Sequence, residues 1–171
     1  MILAKTWRKA LTTFSTSTGF TAPAGSTTRN AAAIDLLDST LGFKGGKAPD
    51  YLNLLPIAKD GSNDTFDFRL YGLALDNDSI YVPELLIDVS VVIGAQTLST
   101  GVYLADTITI NDGAADNGPW SSKIDAQEDL VATILVHTRG NRWVYFDWDL
   151  AGGQEAVSMN CLYRPIYVEN Y

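Results

Sequence analysis

The sequence predicts an all-β protein, an antiparallel β-sandwich of about eight strands, on three observations. The acids are lopsided, with 16 Asp against 4 Glu, and Thr, Gly and Asn are frequent while Lys is sparse. Asp, Asn and Gly build turns and Thr suits strands, whereas helices favour Glu and Lys. Short period-2 runs bounded by turn residues recur along the chain, with no βαβ alternation and no internal repeat. Finally, 171 residues with 46% hydrophobic and 19% charged side chains are enough for one core, burying about 70% of the unfolded surface, and too apolar for disorder.

Residues 1–30 read as an N-terminal arm or linker and 31–171 as the single sandwich domain. The arm is rich in Ser, Thr, Gly and Pro, yet it carries Ile2, Leu3, Trp7, Leu11 and Phe14 beside the basic Lys5, Arg8 and Lys9. Such a segment either docks on a neighbour or supplies a first strand over Trp7–Phe14. Asn30–Leu41 fits a short helix or a buried strand, with the strand preferred. Gly42–Pro49 reads as a loop, and Tyr51–Ile57 as a strand with Pro56 at its end or at an edge. Phe66, Phe68 and Leu70 alternate with Asp67, Arg69 and Tyr71, and Leu85, Ile87, Val89, Val91 and Ile93 share one face of a central strand. Thr107–Ile110 is a further strand, followed by a turn cluster over Asn111–Pro119. Leu130, Ala132, Ile134 and Val136 oppose Val131, Thr133, Leu135 and His137. Arg139–Asn141 resembles a hairpin turn, Val144, Phe146 and Trp148 alternate with Trp143, Tyr145 and Asp147, and the last strand covers about Ala156–Tyr163.

Charge and composition exclude several functions. A net charge of −8 with only 12 Lys and Arg opposes nucleic-acid binding, which draws on counterion release by cations. No run of 18 apolar residues exists to span a membrane, and the N-terminus lacks a signal-peptide core, so synthesis in a cytosol is expected. One cysteine, Cys161, forms no internal disulfide, and one histidine, His137, leaves no relay or metal site that needs two.

Individual motifs favour structure over chemistry. Gly42–Lys47 lacks phosphate-loop spacing and the following hydroxyl. Asp76–Asp78 and the pair Asp112 and Asp116 miss the EF-hand pattern and read as turns. Asp147 and Asp149 lie about 7 Å apart along a strand and read as solvated or ion-paired acids. His137 is a strand-end side chain and Cys161 a small core residue. No catalytic, cofactor-binding or metal residue is expected, and the protein is read as not an enzyme. Trp7, Arg8, Phe14, Trp120, Trp143 and Tyr145 are the candidate partner-binding residues, the exposed aromatics serving either as interface anchors or as platforms for sugars.

The segments Ala31–Phe43, Pro49–Leu52, Asp67–Gly72, Tyr81–Leu86, Ala105–Ile110 and Cys161–Pro165 together resemble small structural proteins of tailed bacteriophages, of the head decoration or cement type. The resemblance implies a jelly-roll-like sandwich without cofactor. It implies a virion protein that forms a symmetric homo-oligomer with its own copies and binds the major capsid protein or other virion proteins on the capsid surface. A carbohydrate- or surface-binding β-sandwich module is the alternative.

Overall fold

A computed structural model describes residues 8–14, 25–26, 28–29, 32–58, 65–76, 78–99, 102–111, 123–127, 131–150 and 159–168. Its ten strands are β1 (Arg8–Phe14), β2 (Ile34–Asp35), β3 (Tyr51–Ala58), β4 (Thr65–Leu75), β5 (Tyr81–Ser99), β6 (Val102–Ile110), β7 (Lys123–Gln127), β8 (Val131–His137), β9 (Trp143–Leu150) and β10 (Met159–Ile166). A 3₁₀ turn over Ser39–Leu41 is the only helical element among the described residues. Asp38 caps that turn through the Thr40 N–H at 2.8 Å, and Gly42 ends it in the left-handed region. All strand pairs are antiparallel, so the protein is all-β.

The pairing follows a simple rule. β1 pairs β10, β2 pairs β9, β3 pairs β8 and β4 pairs β5, which is one long hairpin folded at the β4–β5 turn and rolled up. Rolling brings β10 beside β3 and β9 beside β4. The first sheet then runs β1-β10-β3-β8-β7 and the second β2-β9-β4-β5-β6, with β6 reaching β3 at Ile57 and Ala58 to join them. This is jelly-roll order, with β6 and β7 added between β5 and β8.

The core lies between the sheets. Phe66, Phe68 and Leu70 of β4 meet Ile87, Val89, Val91 and Ile93 of β5, Val144 and Phe146 of β9, and Leu52, Leu54, Ile134, Val136, Cys161 and Tyr163 of the first sheet. Alternation put the right residues inside along β4 and β9, because a pleated strand turns every second side chain to one face. Trp148 packs on the same core, as its frame predicts. Phe68 and Phe146 tilt together with ring centroids 5.8 Å apart. Burial also pushes the Cys161 thiol pKa up, keeping the sulfur a packing group.

The structure departs from the sequence reading at several places. Of the two readings of the arm, docking segment or first strand, the strand holds over Arg8–Phe14, which is β1 at the edge of the first sheet. Asn30–Leu41 contributes only the two-residue β2 and the 3₁₀ turn. β7 was not foreseen. In β5, Leu70 faces Ile87 but Tyr71 faces Leu85, so one extra residue is inserted. That bulge turns Leu86 into the core and leaves Leu85 half-buried. Pro56 sits at no sheet edge: it lies between Leu54, the last residue of β3 paired with β8, and Ile57, the first paired with β6, where a missing N–H interrupts neither ladder. Gly94 is needed where β5 bends past β6, since a Cβ there would come within 2.6 Å of the Asp106 Cβ.

Candidate functional site

Three connections meet at one end of the sandwich, those after β2, β4 and β8. The Thr138 N–H donates to the Asp50 carbonyl at 3.0 Å, and the Leu36 N–H to the Arg142 carbonyl at 2.8 Å. Ser26 forms a bridge with Tyr81 through N–H···O bonds of 3.2 and 2.8 Å, laying residues 25–26 beside the start of β5.

The residues after β8 form a tight turn closed by the Asn141 N–H on the Thr138 carbonyl at 3.0 Å. Its central residues Arg139 and Gly140 have φ of 53° and 75°, the signs of a type I′ turn. The flanking strands do not pair with each other, however, because β8 lies in the first sheet and β9 in the second. The predicted hairpin is therefore a crossing between sheets. A left-handed Arg costs about 1–2 kcal/mol, and two contacts hold it: its N–H donates to His137 Nδ1 at 3.0 Å and its guanidinium to Glu84 at 2.7 Å. Asn141 is buried, donating through Nδ2 to Glu84 at 3.1 Å and to the Thr138 carbonyl at 3.0 Å. A Cβ at Gly72 would overlap this amide, so glycine there makes room for the crossing.

An open groove of about 510 Å³ lies against this turn, lined by Leu73, Leu75, Tyr81, Arg139, Arg142 and Trp143 among others. Arg142 forks onto Asp35 with bonds of 3.0 and 2.7 Å. The Arg29 guanidinium carbon is 3.7 Å from the Trp143 ring centroid and that of Arg142 4.6 Å. At 3.7 Å a group must sit over the ring face, since an edge approach would be blocked by ring atoms, and cation–π attraction favours that position.

The electrostatics are those of a stapled end. The Arg142 hydrogen bonds hold the Asp35 carboxyl below its ordinary value. Burial pushes the Glu84 and Asp50 carboxyls up, but Arg139 and Asn141 on the one, and the Val168 N–H and Lys47 on the other, bring both below their ordinary values. His137 is lowered by burial first and by the Arg139 charge second, so it is neutral at pH 7, its Nδ1 accepting and its ring T-shaped to that of Tyr51 with centroids 4.9 Å apart.

Of the residues singled out in the sequence, Trp143 and Tyr145 share the outward face of β9, across from Leu73 and Tyr71. Arg8 and Phe14 lie on the far edge of the other sheet, with only their backbone described. Trp7, Trp120, Asp112 and Asp116 lie outside the described residues. Asp76 accepts the N–H groups of Asp78 and Ile80 at 2.9 and 2.8 Å, a turn use of its carboxylate. Of the two readings of Asp147, solvated or ion-paired, the solvated one fails: it is 3% exposed and lies across the ladder from Arg69. Among the described residues no cluster of three or more His, Cys, Asp or Glu could hold a metal ion.

Sequence reasoning missed Arg29, Asp35, Glu84 and Arg142. Their partners stand far off in the chain, 107 residues for Asp35 and Arg142, beyond any local pattern. The signal available was Arg139-Gly-Asn-Arg-Trp143, which puts two arginines beside a tryptophan at a turn. Fold and site together define an all-β sandwich of jelly-roll order with a side-chain-stapled end. No family model, curated protein or solved structure matches the chain.

Proposed function

We propose that the chain is a non-enzymatic virion structural protein that decorates or cements a phage capsid by associating with its own copies and with the shell. The observation that carries this reading is the rolled-hairpin pairing of β1 to β10, β2 to β9, β3 to β8 and β4 to β5. Jelly rolls recur in viral capsid domains, where function resides in surfaces. The titratable groups at the stapled end support it, because Asp35, Asp50, Glu84 and His137 each hold backbone or arginine groups in place. The carbohydrate alternative needs a free aromatic face, and Arg29 covers one face of Trp143.

The test is expression of a tagged chain from its native locus, then density-gradient purification of particles. The protein is expected to band with assembled capsids at fixed stoichiometry. Its absence from particles, or glycan binding by the free protein that Trp143→Ala abolishes, overturns the reading.

A further inference from the structure

We infer that the groove at the β8–β9 crossing docks a carboxylate-bearing, partly apolar peptide segment of a partner protein, and that Arg29 receives the carboxylate. The inference rests on the docking role proposed above and names its surface and partner chemistry.

Arg29 carries the argument. Its guanidinium is stacked on Trp143 at 3.7 Å, and among the described residues no acceptor takes a hydrogen bond from it, although guanidinium offers five N–H donors. Stacking leaves those in-plane donors directed outward and removes much of the side-chain freedom that a flexible arginine loses on binding. The neighbouring arginines are already committed, Arg139 to Glu84 and Arg142 to Asp35. Of the three guanidiniums at this end, Arg29, whose charge acts on Asp35 without a hydrogen bond to it, is the one that gives no carboxylate a hydrogen bond among the described residues. A planar carboxylate matches the fork of one guanidinium.

The apolar part follows from exposure. Leu75 and Val82 are 58% and 43% exposed, two of the four large hydrophobics exposed among the described residues. Leu75 lines the groove, whereas Val82, paired with Ala74, belongs to the other face of the sheet. A peptide that places an acid on Arg29 and an aliphatic side chain on Leu75 uses the open guanidinium and covers the exposed Leu75. Nucleic acid fits worse, since a phosphate chain would meet one open guanidinium and then the surrounding acids.

The test uses a fluorescein-labelled peptide, Ala-Leu-Glu-Leu-Glu-Ala, and its Gln counterpart, titrated with the full chain and followed by anisotropy. The Glu peptide should bind, and the Gln peptide should bind about tenfold more weakly, as should the Glu peptide to Arg29→Gln, as loss of a charge-assisted hydrogen bond implies. Leu75→Ser should weaken binding severalfold, and Thr109→Ala, exposed on β6 and outside the groove lining, should leave it unchanged. Circular dichroism checks that each variant is folded. Equal binding of the two peptides, full binding by Arg29→Gln, or tighter Arg29-dependent binding of a single-stranded DNA oligomer overturns the inference. Particle binding separates the two proposals. Capsids that retain Arg29→Gln as well as the natural chain sink the groove and spare the decoration role, whereas Arg29-dependent peptide binding with no particle association does the reverse.

Discussion

On β3 of the first sheet, the residues turned away from the core are as buried as those turned toward it: Asn53 is 1% exposed, Leu55 2% and Ile57 5%. Leu55 and Ile57 join Leu104, Val102 and Leu162 in a second apolar cluster. On β4 of the second sheet, the outward residues Asp67 and Arg69 are half-buried and charged. Arg69 lies between Asp88 and Asp147 in register and donates to Asp88 at 2.7 Å, and Asn111 reaches Asp88 and Ser90 at 3.3 and 2.8 Å. Over these two stretches the sandwich therefore finishes its outer faces by different physics, although further along β4 the outward Tyr71 and Leu73 are buried too. Apolar burial is strong and indifferent to pH, while charge pairing contributes less and depends on the protonation of its members.

The largest effect should separate the faces outright. Leu55→Asp buries an unpaired carboxylate and should cost more than about 4 kcal/mol, and Leu55→Ala about 2–5 kcal/mol. Asp106→Ala, exposed on the second sheet, should stay within about 0.5 kcal/mol. Urea midpoints for the three variants measure this, and a Leu55→Ala as mild as Asp106→Ala would mean the outer face of β3 is not core. Next in size, Arg69→Met strips two carboxylates of their facing cation and should cost about 1–3 kcal/mol, with a cost that shrinks in high salt while that of Leu55→Ala does not.

Acid should act only through charged groups. The folded-state pKa of His137 lies below its ordinary 6.5, so the unfolded chain takes up its proton first, and stability falls as pH drops from about 6.5 through the lower folded value. Glu84, Asp35 and Asp50 are likewise lowered from 4.5, 3.8 and 3.8, so their contributions are intact above those values and are lost as pH falls further. Melting temperature against pH should be flat near 8 and decline in two limbs. His137→Gln should remove the upper limb, and Leu55→Ala should keep both. The smallest effect is a gain. Among the described residues, neither the nitrogen nor the oxygen of the buried Asn53 amide has a hydrogen-bond partner, so Asn53→Leu should raise stability by about 1 kcal/mol, readable as a higher urea midpoint.

Period-2 alternation was enough to locate β4, β5, β8 and β9, since each keeps an apolar row with one face on the core, but it caught only the Thr107–Ile110 part of β6 and placed the last strand about three residues early. It could not reveal the β5 bulge, because an inserted residue exchanges the faces of Leu85 and Leu86 without changing composition. β1 was legible only as one of two readings of the arm, and β7 was missed because it offers one large aliphatic residue, Ile124. At the candidate site, Trp143 was visible as an aromatic beside a turn. Its guanidinium cover and the Asp35 and Glu84 anchors depend on the rolled topology, which no local window contains. The double burial of β3 did leave a trace, since Tyr-Leu-Asn-Leu-Leu-Pro-Ile is apolar nearly throughout rather than alternating.

The pairing of β1 with β10 also governs when this chain can fold. Arg8 meets Tyr163 and Phe14 meets Met159, so the first sheet has no complete ladder until residue 166 has left the ribosome, about 10–30 s after β1 at ordinary synthesis rates. Until then the β4–β5, β5–β6 and β7–β8 hairpins are the local nuclei available, and β3, which can pair β6 and β8 earlier, keeps its β10 edge bare. So many contacts between distant residues place refolding on the millisecond-to-second scale of all-β domains, a rate that stopped-flow Trp fluorescence would read directly. During synthesis the apolar β3 is the stretch most open to capture by chaperones or by another nascent copy.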